Sequence, residues 1–203
     1  GMSVISINLS SGLSGTVESA HLAQESLGSL AEGRLHIIDS LAASMGQGLL
    51  VCLAAELAQT QKTATEIVEV VTEARRDLIH LFTLDTMENL VKGGRISRTK
   101  ATLGELLNIK PILWLNDEGK IDPVDKVRGR KKSLKYLLDR CVAEAGGAYP
   151  YLGISHANCP EEAEKLAHSL RQALPEQTIV IGDIGATIGT HTGAGCIAVF
   201  YFR

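Results

Sequence analysis

Hydrophobic and polar positions follow two patterns along the chain. Short apolar runs bounded by glycine or polar residues predict buried strands, and longer segments with apolar residues three and four positions apart predict helices. The predicted strands cover residues 4–8, 35–39, 78–84, 111–115, 121–128, 151–155, 179–184 and 197–202. The predicted helices cover residues 17–30, 46–58, 131–145 and 160–174, and another starts after Thr63.

The order of these elements predicts an α/β fold with two lobes. Strand, loop, helix, strand and helix follow one another over residues 4–58, which is typical of a parallel sheet covered by helices. Thr63 and Glu66 match a capping box at the start of the next helix. The charged run at its end marks the boundary between a first lobe, residues 1–77, and a second lobe with a mixed sheet, residues 78–203.

Composition and charge exclude several classes of function. Hydrophobic residues make up 45% of the 203 positions and the formal net charge is −3, so binding to nucleic acid is not expected. No apolar run approaches the roughly 20 residues that cross a bilayer, and the start lacks the pattern of a signal peptide. We therefore expect a cytoplasmic protein without integral membrane association.

The four cysteines are isolated in apolar surroundings, which favours reduced core residues. No pair of histidines has the spacing of metal ligands, so no metal is expected. No cofactor is expected either, because the glycine-rich loop at residues 10–16 fits neither a P-loop nor the dinucleotide glycine spacing. His36 and His80 fall within predicted strands and are interpreted as structurally satisfied residues.

The first candidate site is the small polar loop at residues 10–16. It follows a predicted parallel strand and opens a helix, a position where α/β proteins bind ligands and where amides and hydroxyls favour an anion. It lacks the lysine of a phosphate-binding P-loop. The alternative is that its serines and glycines only cap the helix.

The second candidate site is the glycine- and threonine-rich loop at residues 185–195, which contains His191. A donor nitrogen of His191, aided by Thr190 or Thr192, has the chemistry to bind a carboxylate. The alternative is a histidine that is satisfied by its own loop.

Two basic segments form a third candidate. Residues 92–97 contain Arg95, with Arg98 and Lys100 beyond, and residues 126–132 contain Arg128. Guanidinium groups there have the geometry to bind a phosphate or a carboxylate. For residues 130–132 the solvated start of a helix is the favoured interpretation.

At these same segments the chain resembles the DegV family, whose members bind fatty acids and include the acyl-carrying subunit of bacterial fatty acid kinase. The similar motifs occur in the family's order and cover nearly the whole chain. They are residues 11–20 (SGLSGTVESA), 38–40 (IDS), 90–97 (LVKGGRIS), 106–113 (LLNIKPIL), 126–129 (KVRG) and 189–195 (GTHTGAG).

The resemblance implies a noncatalytic protein of bacterial phospholipid synthesis that holds a long-chain fatty acid and presents its carboxylate to a partner fatty acid kinase. The tail would lie in an apolar tunnel and Arg128 would contact the kinase. The ligand-binding residues implied in this way are Ser11, Ser14, Gly15, Thr16, Arg95, Thr190, His191 and Thr192.

Two departures from the family pattern bear on this expectation. The chain lacks the family's further amino-terminal segment, which predicts a truncated first lobe, and Ala194 stands where the family commonly has proline. Two alternatives remain. One is a serine hydrolase of acyl esters that uses Ser14 or Ser11 with His191 and Asp39, and the other is a truncated, non-binding assembly partner. A homodimer is among the oligomeric states left open.

Overall fold

The computed structural model describes residues 2–97 and 108–203 of the chain. In this part of the chain the strands are β1 Val4–Asn8, β2 Leu35–Asp39, β3 Leu78–Thr83, β4 Ile109–Leu115, β5 Ile121–Arg128, β6 Tyr151–His156, β7 Thr178–Asp183 and β8 Ile197–Phe202. The helices are α1 Thr16–Leu27, α2 Met45–Ala58, α3 Ala64–Asp77, α4 Glu88–Lys92, α5 Arg130–Glu144, α6 Pro160–Ala173 and α7 Ala186–Thr192, with a 3-10 turn at Gly28–Leu30.

The described strands form two sheets. β1 and β2 pair in parallel, and the other six strands form a mixed sheet in the order β5-β4-β3-β8-β6-β7. Only β6 and β7 are parallel within this described part of the larger sheet. The mixed α/β architecture predicted from the sequence is confirmed.

The proposed boundary between the lobes falls where α3 ends at Asp77 and β3 begins at Leu78. The hydrophobic core crosses this boundary, because α2 packs on the larger sheet against β3, β6 and β8. One cluster of buried side chains includes Ile38 and Leu50 together with Phe82 and Phe200. The two sheets therefore share a core, and the polar loop that follows β1 is held against the second sheet.

The central strands β3 and β8 are buried at every position, which explains their nearly continuous apolar sequences. Helix α2 covers one face of the sheet, and α5 and α6 cover the other. Helix α2 approaches its face closely because Gly153 and Gly182 lack a side chain. A Cβ on either residue would lie within 3 Å of the Met45 side chain.

The predicted capping box at the start of α3 is confirmed. The Thr63 hydroxyl accepts a hydrogen bond from the Glu66 amide at 3.3 Å, and the Thr63 amide donates to the Glu66 carboxylate at 2.7 Å. The hydrogen bond from the Thr63 backbone is the largest cause of a lowered pKa of Glu66. The helix begins at Ala64, and its buried face begins three residues later at Ile67 and continues at Val71.

The expectation of a loop around His191 is corrected by the structure. Residues Ala186–Thr192 form the short helix α7, which packs against α4. The helix ends at Gly193, whose φ of 77° is a left-handed conformation that suits glycine and whose amide donates to the Gly189 carbonyl at 2.8 Å. With Gly185 before it and Gly193 after it, the segment has the composition of a loop although its middle is helical.

Candidate functional site

A pocket opens between the larger sheet, the start of α2, the loop before α1, the end of α4, and α7. Its volume is about 770 Å³, counting the part open to solvent. Most of its wall is apolar, with contributions from Phe82, Leu90, Leu115, Ile121 and Phe200. An apolar wall with a small number of polar groups is typical of a small-molecule site.

Ser10 positions the polar loop that follows β1. Its side chain is fully buried and its hydroxyl donates to the Gly119 carbonyl at 2.8 Å, in the turn between β4 and β5. The loop lies directly on this turn, since a Cβ on Gly12 would be 2.7 Å from the Glu118 carbonyl oxygen. The second sheet therefore fixes the position of a loop that belongs to the first.

Of the predicted residues in this loop, Ser14 lies on the pocket wall. Its hydroxyl forms a 2.8 Å hydrogen bond with the Thr16 hydroxyl. Ser11, Gly15 and Thr16 are exposed and do not line the pocket. The Ser11 amide instead donates to the Asp39 carboxylate at 3.1 Å.

Arg95 connects the end of α4 with the same loop. Its Nε donates to the Leu13 carbonyl at 3.1 Å and its Nη1 to the Gly93 carbonyl at 2.6 Å. These bonds use two of the five N–H groups of the guanidinium. The residue also lines the pocket, and its bond to the Leu13 carbonyl places the guanidinium next to the residue that precedes Ser14.

His191 reaches the pocket from α7 and packs directly on Gly93. A Cβ on Gly93 would overlap Nδ1 of the imidazole ring, so this glycine makes room for the histidine. Thr192 also lines the pocket, is buried, and donates its hydroxyl to the Ile188 carbonyl at 3.2 Å. Thr190 is exposed, and its hydroxyl donates to the Thr187 carbonyl at 2.8 Å.

His80 is a pocket residue that sequence reasoning missed. The imidazole is only 4% exposed and forms part of the wall, yet its Nε2 has no hydrogen-bond partner among the described atoms. Burial lowers its pKa to about 4, so the ring is neutral near pH 7. The ring does hydrogen-bond to the Leu78 backbone, so its interpretation as a structurally satisfied histidine fails for Nε2 alone. The available signal was one polar residue inside the apolar run of β3.

The remaining candidate residues lie elsewhere. Asp39 accepts hydrogen bonds from the amides of Ser11 and Leu41 and is not on the pocket wall. Arg128 is exposed at the end of β5, outside the pocket. Arg98 and Lys100 lie outside the described residues.

Residues 2–97 and 108–203 lack two features. They contain no cluster of three or more histidine, cysteine, aspartate or glutamate side chains suited to a metal ion. None of the helices there combines the length and the apolar character needed to cross a bilayer.

Comparisons with known proteins agree on one family. The sequence model of a family described as uncharacterised proteins, the DegV family, matches residues 1–203. A DegV domain-containing protein of Clostridium perfringens is 42% identical over 205 residues, which cover 99% of this chain and 70% of that protein.

Two solved structures share the fold over nearly the whole chain. The Fak B3 protein of the Streptococcus pneumoniae fatty acid kinase, solved loaded with linoleic acid, matches with a TM-score of 0.90 and 27% identity over 100% of this chain and 72% of that chain. A DegV family protein of Thermus thermophilus, described by its fatty acid binding, matches with a TM-score of 0.87 and 33% identity over 99% of this chain and 71% of that chain. The chain therefore belongs to the DegV family.

Proposed function

We propose that the chain binds a long-chain fatty acid in this pocket. The observation that carries the proposal is an apolar wall together with three polar side chains, Ser14, Arg95 and His191, which contacts at Leu13 and Gly93 bring near one another. A fatty acid has the matching chemistry, with a long apolar tail and one carboxylate. The fatty acids bound by the two solved relatives support the same assignment.

The carboxylate lies at the polar end of the pocket in this proposal. The hydroxyl of Ser14 and the imidazole of His191 donate hydrogen bonds to it, and the guanidinium of Arg95 contributes positive charge. Ser14 also precedes the first turn of α1, where the helix dipole favours a negative charge. Because Arg95 holds the Leu13 carbonyl, it keeps the serine loop in place as well.

The tail lies along the apolar wall formed by residues such as Phe82, Leu115 and Phe200. Burial contributes about 0.8 kcal/mol per methylene, so a sixteen-carbon chain gains on the order of 10 kcal/mol. Hydrogen bonds to a charged group contribute about 1.5–3 kcal/mol each. The tail therefore supplies most of the affinity, and the polar end sets the orientation of the ligand.

The protein acts as a carrier that presents the bound carboxylate to a fatty acid kinase, rather than as a catalyst. In the described part of the chain no hydrogen bond joins Ser14 to His191, and the hydroxyl of Ser14 bonds to Thr16 instead. Asp39 is occupied by backbone amides. These contacts give no support to a serine hydrolase. The exposed Arg128 supplies a positive charge outside the pocket for the kinase to contact.

Mass spectrometry of an organic extract tests the fatty acid. We expect the purified protein to release long-chain acyl species, and the delipidated protein to take up hexadecanoic acid.

His191→Ala is expected to weaken the binding of hexadecanoic acid by about tenfold, because a charge-assisted hydrogen bond is lost. His168→Ala, which changes an exposed histidine on α6, serves as the control. An extract without acyl species together with no uptake would refute the proposal, and labelling of Ser14 by a fluorophosphonate would point to a hydrolase.

Kinase presentation has a separate test. Arg128→Glu is expected to keep fatty acid affinity and to slow acyl phosphate formation by a purified bacterial fatty acid kinase at least tenfold, since it reverses the charge at the contact. Arg171→Glu makes the same change at an exposed position of α6 and is expected to have little effect. Equal rates for both variants would remove Arg128 from the kinase contact.

A further inference from the structure

Strand β7 is one edge of the larger sheet, and no strand of the described residues pairs with its outer side. Residues 178–182 contain no charged side chain and no proline, and the ladder with β6 runs without a bulge. Edge strands usually carry such features, because an uncovered row of backbone N–H and C=O groups pairs readily with another chain. The opposite edge strand, β5, has a proline, several charged residues and a register shift in its ladder with β4. The β7 edge is therefore open to pairing, and the β5 edge is protected.

The side chains of β7 alternate between two layers of helices. A Cβ on Gly182 would contact Met45 of α2, so Val180, two residues earlier, points to the α2 face. Ile179 and Ile181 point to the other face, where they pack in the core that α6 covers. Val180 is 39% exposed in the middle of the strand. The strand therefore presents an apolar side chain as well as free backbone groups.

We propose that two copies of this chain pair through their β7 strands, in antiparallel orientation, and form a homodimer with a single sheet of twelve strands, six from each copy. Such an interface has two-fold symmetry, so the same strand meets itself. With the axis at Val180, this residue lies opposite its own copy and Ile179 lies opposite Ile181. With the axis at Ile181, the carboxylate of Asp183 would lie opposite the apolar Ile179. The sequence of the strand therefore favours the axis at Val180.

The charges of α6 fit a second copy at this edge. The helix packs on both β6 and β7, so pairing two β7 strands brings two antiparallel copies of α6 side by side. With strands about 4.8 Å apart, the two helix axes are about 10 Å apart, which is a packing distance of helices. Exposed Glu161 and Glu164 lie in the first half of α6, and exposed Lys165 and Arg171 follow them. Antiparallel copies therefore place the acidic half of one helix beside the basic half of the other.

Pairing through β7 leaves the opposite edge of the sheet exposed. That edge is β5, which ends at Arg128 and lies five strand spacings, or about 24 Å, from β7. The dimer therefore carries two pockets and exposes one Arg128 at each outer edge. This inference goes beyond the proposed function, since it needs no bound fatty acid.

Sedimentation velocity of the purified chain tests the dimer. Between about 1 and about 200 μM we expect the sedimenting mass to double, as mass action requires. Val180→Lys places two like charges opposite each other at the axis, and it is expected to raise the dissociation constant of the dimer at least tenfold. Val142→Lys makes the same change at an exposed valine of α5 and is expected to leave the dimer intact. Thermal unfolding followed by circular dichroism verifies that both variants are folded.

Oxidative cross-linking locates the axis. Val180→Cys places two thiols opposite each other with Cβ atoms about 5 Å apart, close enough for an oxidant to join them in a disulfide. Cys52→Ser removes an exposed native thiol from the background, and Val142→Cys in that background is expected not to cross-link. A monomer at every concentration would overturn the proposal and leave the edge for a peptide of another protein. A dimer that Val180→Cys does not cross-link, or that a folded Val180→Lys leaves intact, would overturn it as well.

Discussion

Fatty acid affinity is expected to fall more than tenfold when Gly93 is replaced by alanine. The added Cβ would overlap Nδ1 of His191 and lie 3.1 Å from the Asn89 carbonyl oxygen, so the imidazole has to leave its position. Gly93 has φ of −78°, which alanine adopts without strain, so the effect comes from the contact and not from the backbone. Titration of delipidated protein with hexadecanoic acid measures the loss.

Gly189→Ala is the matched control for Gly93→Ala. Gly189 lies in α7, two residues before His191, and a Cβ there would meet nothing within 4 Å. We expect this variant to keep its affinity and to unfold at the wild-type temperature or slightly above it. If Gly93→Ala bound hexadecanoic acid as tightly as Gly189→Ala, the placement of His191 against Gly93 would have no bearing on the ligand.

The second large effect is expected at Gly119, in the turn that holds the serine loop. Gly119→Ala places a Cβ in overlap with the Ser10 hydroxyl and requires a left-handed backbone, since φ is 68°. The backbone strain costs about 1–2 kcal/mol. Breaking the hydrogen bond of the fully buried Ser10 costs a further 1–3 kcal/mol or so. We expect the free energy of unfolding to drop by about 3 kcal/mol and fatty acid binding to weaken with it.

Gly33→Ala separates the backbone strain from the loss of the Ser10 hydrogen bond. Gly33 has almost the same φ as Gly119, 65°, but a Cβ there would lie in open space. Urea unfolding of both variants should show a loss of about 1–2 kcal/mol for Gly33→Ala, with affinity unchanged. Equal losses for the two variants would mean that the contact between Ser10 and Gly119 contributes nothing to stability.

The strands were the most predictable part of the fold. The predicted bounds of β1, β2, β5 and β8 agree with the structure because each is an apolar or alternating run that ends at a polar or glycine residue. Helix α7 was not predicted, because its sequence, ATIGTHT, has no apolar periodicity. The helix ends at Gly193 and packs against α4, and neither of these features can be seen in a pattern of apolar residues.

From the sequence, the residues of the pocket could be predicted only as separate segments and not as one site. Ser14 and His191 were both named from the sequence, but Ser11 and Ser14 are chemically alike and nothing local distinguishes them. Which serine lines the pocket depends on the bond between Ser10 and Gly119, 109 positions away. His80 was missed because an unpaired nitrogen is a property of the packed core, not of the residue type.

The bond from Ser10 to Gly119 and the one from Ser44 to Ser155, which spans 111 positions, also affect how the protein is made. Contacts between such distant residues form slowly, because the chain between them loses conformational entropy before the contact adds any stability. On the ribosome, the serine loop emerges long before the turn on which it rests, and His191 emerges later than both. A nascent chain therefore exposes the side chains of the serine loop before the pocket is complete, and under the proposed function it binds a fatty acid only after His191 has emerged and packed on Gly93.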